Sequence, residues 1–385
     1  MKIAIFRSDY APLNLEQYNC QEIGLAKSLI NAGHEVLLIL LKNEKSGGQY
    51  PDRVLHKDKY IEIKQLDFII IPLVNYSLLK GLDKIFEEYK PDICHINEEA
   101  QPATIQIARC AERYKTPIVA YHGMYLTPSG LARGAYEKIH NCFFRKKLIK
   151  QFHHVFVKTT YAKNYLQERG YQNITVLPVG LDISRLVSTD NVAEKFILVP
   201  SECRLVLYVG VFEKRRNIAH LLEIAKLAID SNLHFILIGT GPEEAYAQQY
   251  VIEHNLKNVT LPGSLLQSEL AVYYKRASVF ILASNYEIFG MVLLEAMFFG
   301  LPIVSNYNAG AVDLIDESNG SLVDNLEPAL WLQSIQQWAD CADQKNKQLI
   351  RKKFENNFTW DQISNSYLQS LKDIRTSNSN SNNNT

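Results

Sequence analysis

SNYEIFGMVLLE, residues 284–295, decides how the rest of the chain is read. An acid, Glu287, comes just after the apolar run Val279–Ile281, the pattern of a short buried strand. The pair Phe289-Gly290 follows, and a helix-like segment begins. A second acid, Glu295, then stands inside the apolar stretch MVLLEAMFF. An unpaired buried charge costs several kcal/mol or more, so a carboxylate there must meet polar partners. A strand end, a helix start whose N–H groups have no partner within the helix, and two inward acids together make a site for a phosphate-bearing sugar. The competing reading makes Glu287 a helix N-terminal acid favoured by the dipole and Glu295 a surface residue. Leu293, Leu294, Ala296 and Met297 around Glu295 leave it no exposed face.

The 385 residues exceed one comfortable core and imply two domains of about 180 residues each. An apolar content of 47% with 21% charged residues is ordinary for a soluble globular chain. The net charge is zero but unevenly placed. Residues 1–180 carry 24 Lys and Arg against 18 Asp and Glu, and the remainder carries 17 against 23, so the halves should meet different partners. The apolar run Phe68–Val74 is seven residues long and contains Pro72, too short and broken to span a bilayer. MKIAIFRSDY at the N-terminus reads as a strand rather than a secretion peptide. Cys20, Cys94, Cys110, Cys142, Cys203 and Cys341 form no CxxC pair, which predicts reduced thiols in a cytoplasmic protein rather than a disulfide frame or a zinc site.

The first half alternates strands with amphipathic helices. Strands are expected at Lys2–Arg7, Glu35–Leu41, Asp67–Ile71, Ile93–Ile96, Pro117–Tyr121 and His154–Val157, with helices at Gln21–Ala32, Tyr76–Tyr89 and Pro102–Tyr114. After an irregular stretch following Asp182 the pattern restarts. Arg204–Gly210, His234–Gly239, Val259–Leu261, Val279–Leu282 and Pro302–Ser305 read as strands, and Ile218–Ile229 as a helix. Two α/β, Rossmann-like doubly wound domains follow, at residues 1–182 and 200–357, with ligands beyond the carboxyl ends of the strands. Helices are expected at Lys345–Asn357 and Trp360–Ile374, and the polar tail 376–385 should be disordered.

Several segments together resemble the retaining glycosyltransferases of family 4, whose two domains face a central cleft in the GT-B architecture. EIFGMVLLEAMFFGLPIV carries Glu287 and Glu295 with seven residues between them, and Gly300, Pro302 and Gly310 follow. Upstream, YVGVFEKRRNIAHLL and IGTGPEE match the phosphate-loop and second glycine segments. The resemblance is strong from residue 200 to 325 and loose before residue 115.

It implies that Glu295 binds the ribose hydroxyls of a nucleoside-diphosphate sugar, as suits an acceptor-only carboxylate. The N–H groups of Phe289, Gly290 and Met291 would face the diphosphate, and Glu287 would hold the sugar ring. Gly210, Gly239 and Gly241 would line the donor, with GTGP also compatible with a tight turn that opens a helix at Pro242. The family places an Arg directly after the first glycine and a Lys five residues on; here those positions hold Val211 and Arg216. Arg216, helped by Lys214 and Arg215, would meet the phosphate charge, although EKRR also reads as a solvated turn capped by Asn217. His122, at a strand end, would contact the donor sugar and the reaction centre, and Asp313 stands where the family carries a glutamate. The first loop, SDYAPLNLEQYN, lacks the family's paired glycines and is expected to be ordered around Pro12 and Asn14.

The implied activity is transfer of a hexose-type sugar, from a UDP-sugar, to a hydroxyl acceptor with retention, without metal or other cofactor. The acceptor would be a saccharide or lipid-linked polysaccharide precursor. The C-terminal helix, 360–375, would pack back on the first domain. Two alternatives share the architecture: a catalytically silent sugar-nucleotide-binding subunit, suggested by Val211, and a sugar-nucleotide epimerase. In residues 133–158, Arg133, Lys138, Arg145, Lys146, Lys147, Lys150 and Lys158 face only Glu137, with Phe143, Phe144, Leu148 and Ile149 interleaved. Such a segment is either an ordinary domain helix with a solvated face or a surface for the inner face of an anionic membrane. Nucleic-acid binding finds no recognisable fold here and an acidic second half.

Overall fold

Alternate residues of the first strands feed two different cores, which is what a sheet covered on both faces requires. Ala4, Phe6, Leu37, Ile39 and Leu41 belong to one buried cluster, and Ile3, Ile5, Val36, Leu38 and Leu40 to the other. The computed structural model describes residues 1–8, 20–42, 50–71, 76–97, 101–125, 131–187, 202–341 and 343–382. Pro12, Asn14, the side chain of Arg133, most of the linker after Asp182 and the last three residues lie outside them.

The chain forms two compact units, Met1–Gly180 with the segment from Trp360 onward, and Leu181–Thr359. The first begins β1 (Lys2–Phe6), α1 (Gln21–Asn31), β2 (Glu35–Leu41), β3 (Arg53–His56), β4 (Lys59–Leu66), β5 (Phe68–Ile71) and β6 (Tyr76–Leu79). It continues α2 (Leu82–Tyr89), β7 (Ile93–Asn97), α3 (Pro102–Arg113), β8 (Ile118–His122), α4 (Leu131–Phe143), α5 (Arg145–Gln151), β9 (Phe152–Val157), α6 (Thr160–Gln167) and β10 (Ile174–Val176). Among the described residues eight strands make one sheet, ordered β10-β9-β8-β7-β1-β2-β4-β3, parallel except for β3. The strand expected at Asp67–Ile71 instead pairs antiparallel with β6 in a separate ribbon. Its partner occupies the start of the expected helix Tyr76–Tyr89. Gly81, at φ +76°, separates that strand from α2, so the helix begins six residues late.

The second unit holds α7 (Ser184–Val187), β11 (Arg204–Val209), α8 (Ile218–Leu227), β12 (Leu233–Ile238), α9 (Glu244–Glu253), β13 (Val259–Gly263), α10 (Gln267–Arg276) and β14 (Val279–Leu282). Then come α11 (Met291–Phe298), β15 (Ile303–Asn306), α12 (Ala309–Leu314), β16 (Gly320–Val323), α13 (Pro328–Asp340) and α14 (Gln344–Asn357). Its sheet is parallel, ordered β13-β12-β11-β14-β15-β16. The chain winds outward from β11 to β13, then returns to β11's other side at β14. That reversal makes the crevice above β11 and β14 the switch point, where doubly wound sheets bind ligands.

Helix α15 (Trp360–Asn382) returns to the first unit. Ser28 of α1 donates to Asp361 (2.8 Å) and shares a hydrogen bond with Ser364 (2.7 Å). A Cβ on Gly24 would stand 2.1 Å from the Trp360 ring, so only glycine admits that indole. The tail expected to be disordered is helical through Asn382. Once the helix is nucleated each further residue adds a hydrogen bond, and Ser and Asn cost only tenths of a kcal/mol each. All six cysteines carry free thiols. Among the described residues no helix is long and apolar enough to cross a membrane.

His95 of β7 is fully buried, with Nδ1 3.1 Å from the Tyr367 hydroxyl and Nε2 3.1 Å from Asn97 Oδ1. Burial drives its pKa down to about 4, against the hydrogen bond to Asn97 Oδ1 that raises it. The unfolded chain therefore takes up this proton first as pH falls. The stabilisation is complete above about pH 6.5 and is lost between there and about pH 4. Urea midpoints of the wild type and His95→Gln should accordingly converge by about 2 kcal/mol between pH 7 and pH 4.5. His220, lowered by burial over the same range, is present in both proteins and cancels. A gap that stays constant with pH contradicts a neutral buried His95.

Candidate active site

Between β11 and β14 the ladder holds only two residue pairs, Val206 with Val279 and Leu207 with Phe280. Past it, loop-to-loop bonds take over. Asn285 N–H donates to the Arg215 carbonyl (2.8 Å), and Asn217 Nδ2 donates to the Ala283 carbonyl and to Asn285 Oδ1 (both 2.7 Å). Asn217 ends the 3₁₀ turn Lys214–Arg216 at φ +52°, a left-handed conformation that Asn tolerates, and begins α8.

This framework brings Arg216 against Glu287. Both are largely buried, at 12% and 8% side-chain exposure, and they form an ion pair. Arg216 Nη1 also donates to Ser284 Oγ (2.9 Å). Arg215 Nη1 donates to the Tyr286 carbonyl (2.8 Å) and lies 3.6 Å from Glu287 Oε1, while its Nη2 is 2.7 Å from Glu213 Oε1. Burial lowers the pKa of Arg216, but a guanidinium stays charged across the physiological range. The solvated-turn reading of EKRR therefore fits Lys214, which is exposed, and not Arg216.

The two glycine segments meet on the other side of β11. Gly239 has φ +147°, and a Cβ there would sit 1.8 Å from the Gly210 carbonyl oxygen. Any side chain would force the ends of β11 and β12 apart. Phe212 N–H donates to the Thr240 carbonyl (2.9 Å) and Glu243 N–H to the Phe212 carbonyl (2.9 Å), fixing the loop that contains Gly241 against the one that follows Gly210. Val211, where the resemblance expects arginine, projects outward at 51% exposure.

Gly290, in the left-handed region, starts α11, and Phe289 beside it is buried. Gly310 allows the Phe289 carbonyl to approach α12, since a Cβ there would lie 1.9 Å from that oxygen. Residues 293–298 of α11 are all buried, Glu295 among them at 4% exposure. The Tyr274 hydroxyl donates to Glu295 Oε2 (2.8 Å), and the Tyr274 ring is clamped between Phe299 (5.3 Å) and Phe280 (5.9 Å). Tyr274 and Ser284 were not singled out in the sequence. Tyr274 sits in the polar context YYKR, and only the fold shows which of two adjacent buried tyrosines reaches Glu295. His122 ends β8 in the first unit, buried and stacked on Tyr165 at 6.2 Å.

A parallel sheet ordered 3-2-1-4-5-6, a second doubly wound unit and an acid-and-arginine switch point are features of GT-B glycosyltransferases. Comparison with known proteins agrees. Residues 23–185 match Glycosyltransferase Family 4 and residues 191–355 match Glycosyl transferases group 1, and the chain belongs to this family of glycosyltransferases. It is 23% identical over 390 residues to a GDP-mannose-dependent alpha-mannosyltransferase of Corynebacterium glutamicum, covering 97% of this chain and 89% of that one. It is 21% identical to an alpha-monoglucosyldiacylglycerol synthase of Acholeplasma laidlawii, over 80% of this chain and 81% of that one. The solved structure of Anabaena HepE in complex with UDP superposes with a TM-score of 0.71 at 16% identity, covering 97% and 100%. Sucrose-phosphate synthase from Thermosynechococcus elongatus gives 0.69 at 20% identity, covering 98% and 99%. At these identities the structural likenesses establish the fold.

Tyr274→Phe removes a hydrogen bond to a buried carboxylate and should destabilise the protein by about 1–3 kcal/mol, read from the urea midpoint. An unchanged midpoint would show that the hydroxyl does not support Glu295.

Proposed function

We propose that this glycosyltransferase moves a hexose-type sugar from a UDP-sugar to a hydroxyl of a saccharide or lipid-linked acceptor, retaining the anomeric configuration and requiring no metal. The observation that carries this reading is the buried Arg216–Glu287 pair beside the start of α11, with Glu295 held one helical turn deeper. The diphosphate takes the first-turn N–H groups of α11 and draws Arg216 from Glu287, with exposed Lys214 as a second cation. Glu287 is then free of its ion pair to bind sugar hydroxyls, and Glu295 accepts from the ribose. The acceptor oxygen bonds to the anomeric carbon on the face from which the phosphate oxygen departs, and that phosphate oxygen takes the acceptor proton. Catalysis is positioning plus stabilisation of the leaving charge. His122, which ends β8 of the first unit, stays a catalytic candidate on the resemblance alone.

Uridine is preferred because a structural neighbour was solved with UDP, whereas a sequence relative is GDP-mannose-dependent, so the base calls for a direct test. A second reading, a subunit that binds the donor without turning it over, is favoured by exposed, apolar Val211 in the arginine's place.

Thermal shifts with UDP, GDP and ADP should single out UDP, which adds about 2.7 kcal/mol at 100 times its dissociation constant. Arg216→Ala should lower kcat by about 10²–10³-fold, the usual effect of deleting one charge-stabilising group. Transfer should persist in excess EDTA. Donor binding with neither transfer nor donor hydrolysis in the wild type would establish the silent subunit instead. Interconversion of two sugar nucleotides without acceptor would establish an epimerase.

A further inference from the structure

In the first unit, the ribbon β5–β6 and helices α4 and α5 carry an apolar strip bordered by cations. Ser77 and Leu79 are buried, so the opposite face of the ribbon holds Ile69, Ile71, Tyr76 and Leu78, since directly paired residues share a face. All four are apolar or aromatic. Tyr76 meets Tyr136 of α4 edge-on at 5.0 Å, which joins the ribbon to the helix. Along α4 and α5 the exposed positions among the described side chains are Ala135, Lys138, Ile139, Cys142, Phe143, Lys146, Lys147 and Lys150, a helical stripe that includes no acid. Phe143 is 75% exposed, Ile139 52% and Ile69 52%. Lys147 is engaged by Glu112 at 3.2 Å. Of the rest of the basic segment, Leu148 is buried and Lys158 lies over the Tyr121 ring at 5.6 Å, so the charge is concentrated at Lys138, Lys146 and Lys150.

We infer that this strip is a docking surface for an anionic lipid bilayer. Isolated exposed apolar residues are ordinary, but large ones on two adjoining elements, ringed by lysines on the same helical stripe, suit an interface that is apolar below and anionic above. Phe143 and Ile139 enter the headgroup and acyl boundary while Lys138, Lys146 and Lys150 meet the lipid phosphates. A docked enzyme holds its first unit at the surface where a lipid-linked acceptor resides. The inference concerns the first unit alone and does not rest on the donor chemistry proposed above.

Co-sedimentation of the full chain with vesicles tests it. Vesicles of phosphatidylglycerol and phosphatidylcholine should pellet the protein, vesicles of phosphatidylcholine alone should not, and raising salt should release it. Lys146→Gln with Lys150→Gln should weaken partitioning about 30-fold, roughly fivefold per lysine. Phe143→Ser should weaken it about tenfold. All variants should keep the wild-type urea midpoint and the same thermal shift with UDP, which separates a failed docking surface from a failed donor site. The inference is overturned by failure to bind anionic vesicles at low salt, or by variants that bind like the wild type. It is equally overturned by RNA binding as tight as vesicle binding, or by a dimer in solution that Phe143→Ser dissociates.

Discussion

The carboxylate of Glu295 lies on a helix whose surroundings are otherwise apolar, and a buried acid is tolerated only where its charge is met. Tyr274 meets part of it, and the aromatic clamp around that tyrosine keeps the hydroxyl in place. Around this acid the second unit arranges its remaining features. One turn earlier, α11 opens at Gly290 in the left-handed region, and the Leu293 N–H already donates to the Gly290 carbonyl (2.9 Å). Just before it stands Glu287, paired with a cation from the neighbouring strand end. Cation, acid, helix start and second acid thus follow one another across one short crevice. The ligand proposed for it carries negative charge and hydroxyl groups together, which these groups would meet.

Topology supplies the crevice. In the order β13-β12-β11-β14-β15-β16 the chain reverses direction at the centre, so the loops after β11 and β14 are not covered by a crossover between them. Asn217 and Asn285 stitch those loops together, while the close approach of Gly239 to Gly210 sets the distance between the loops on the other side. Arg216 consequently has little freedom, with Ser284 and Glu287 both fixing its guanidinium. A ligand replaces one partner of a positioned cation instead of ordering a mobile one, which reduces the entropic cost of binding.

The second unit was the more legible in sequence because its central strands β12, β14 and β15 are wholly buried. Runs such as the one at Val279–Leu282 have the same bounds in the structure, β11 ends one residue early, and β12 is shifted by one residue at both ends. Strands at or next to the sheet edges were missed: β3, β4, β10 and β16 have exposed or half-buried positions and too few apolar residues to stand out. Tyr76–Leu79 was absorbed into a helix because YSLL fits either period, and only its pairing with β5 decides. At the candidate site, Glu295 was visible as a charge in apolar company, Glu287 by its place after an apolar strand, and Arg216 only through the resemblance. Tyr274 and Ser284 were not, since their partners are 21 and 68 residues away and no spacing marks them.

The central claim is that Glu295 grips the ribose of a nucleoside diphosphate. Calorimetric titration of the wild type and Glu295→Ala with UDP and with its 2′,3′-dideoxy analogue tests it most directly. The wild type should bind UDP at least tenfold more tightly than the analogue, as expected when a buried acceptor loses its donors. Glu295→Ala should bind the two alike. Equal affinity of the wild type for both nucleotides, or undiminished discrimination in Glu295→Ala, would contradict the account.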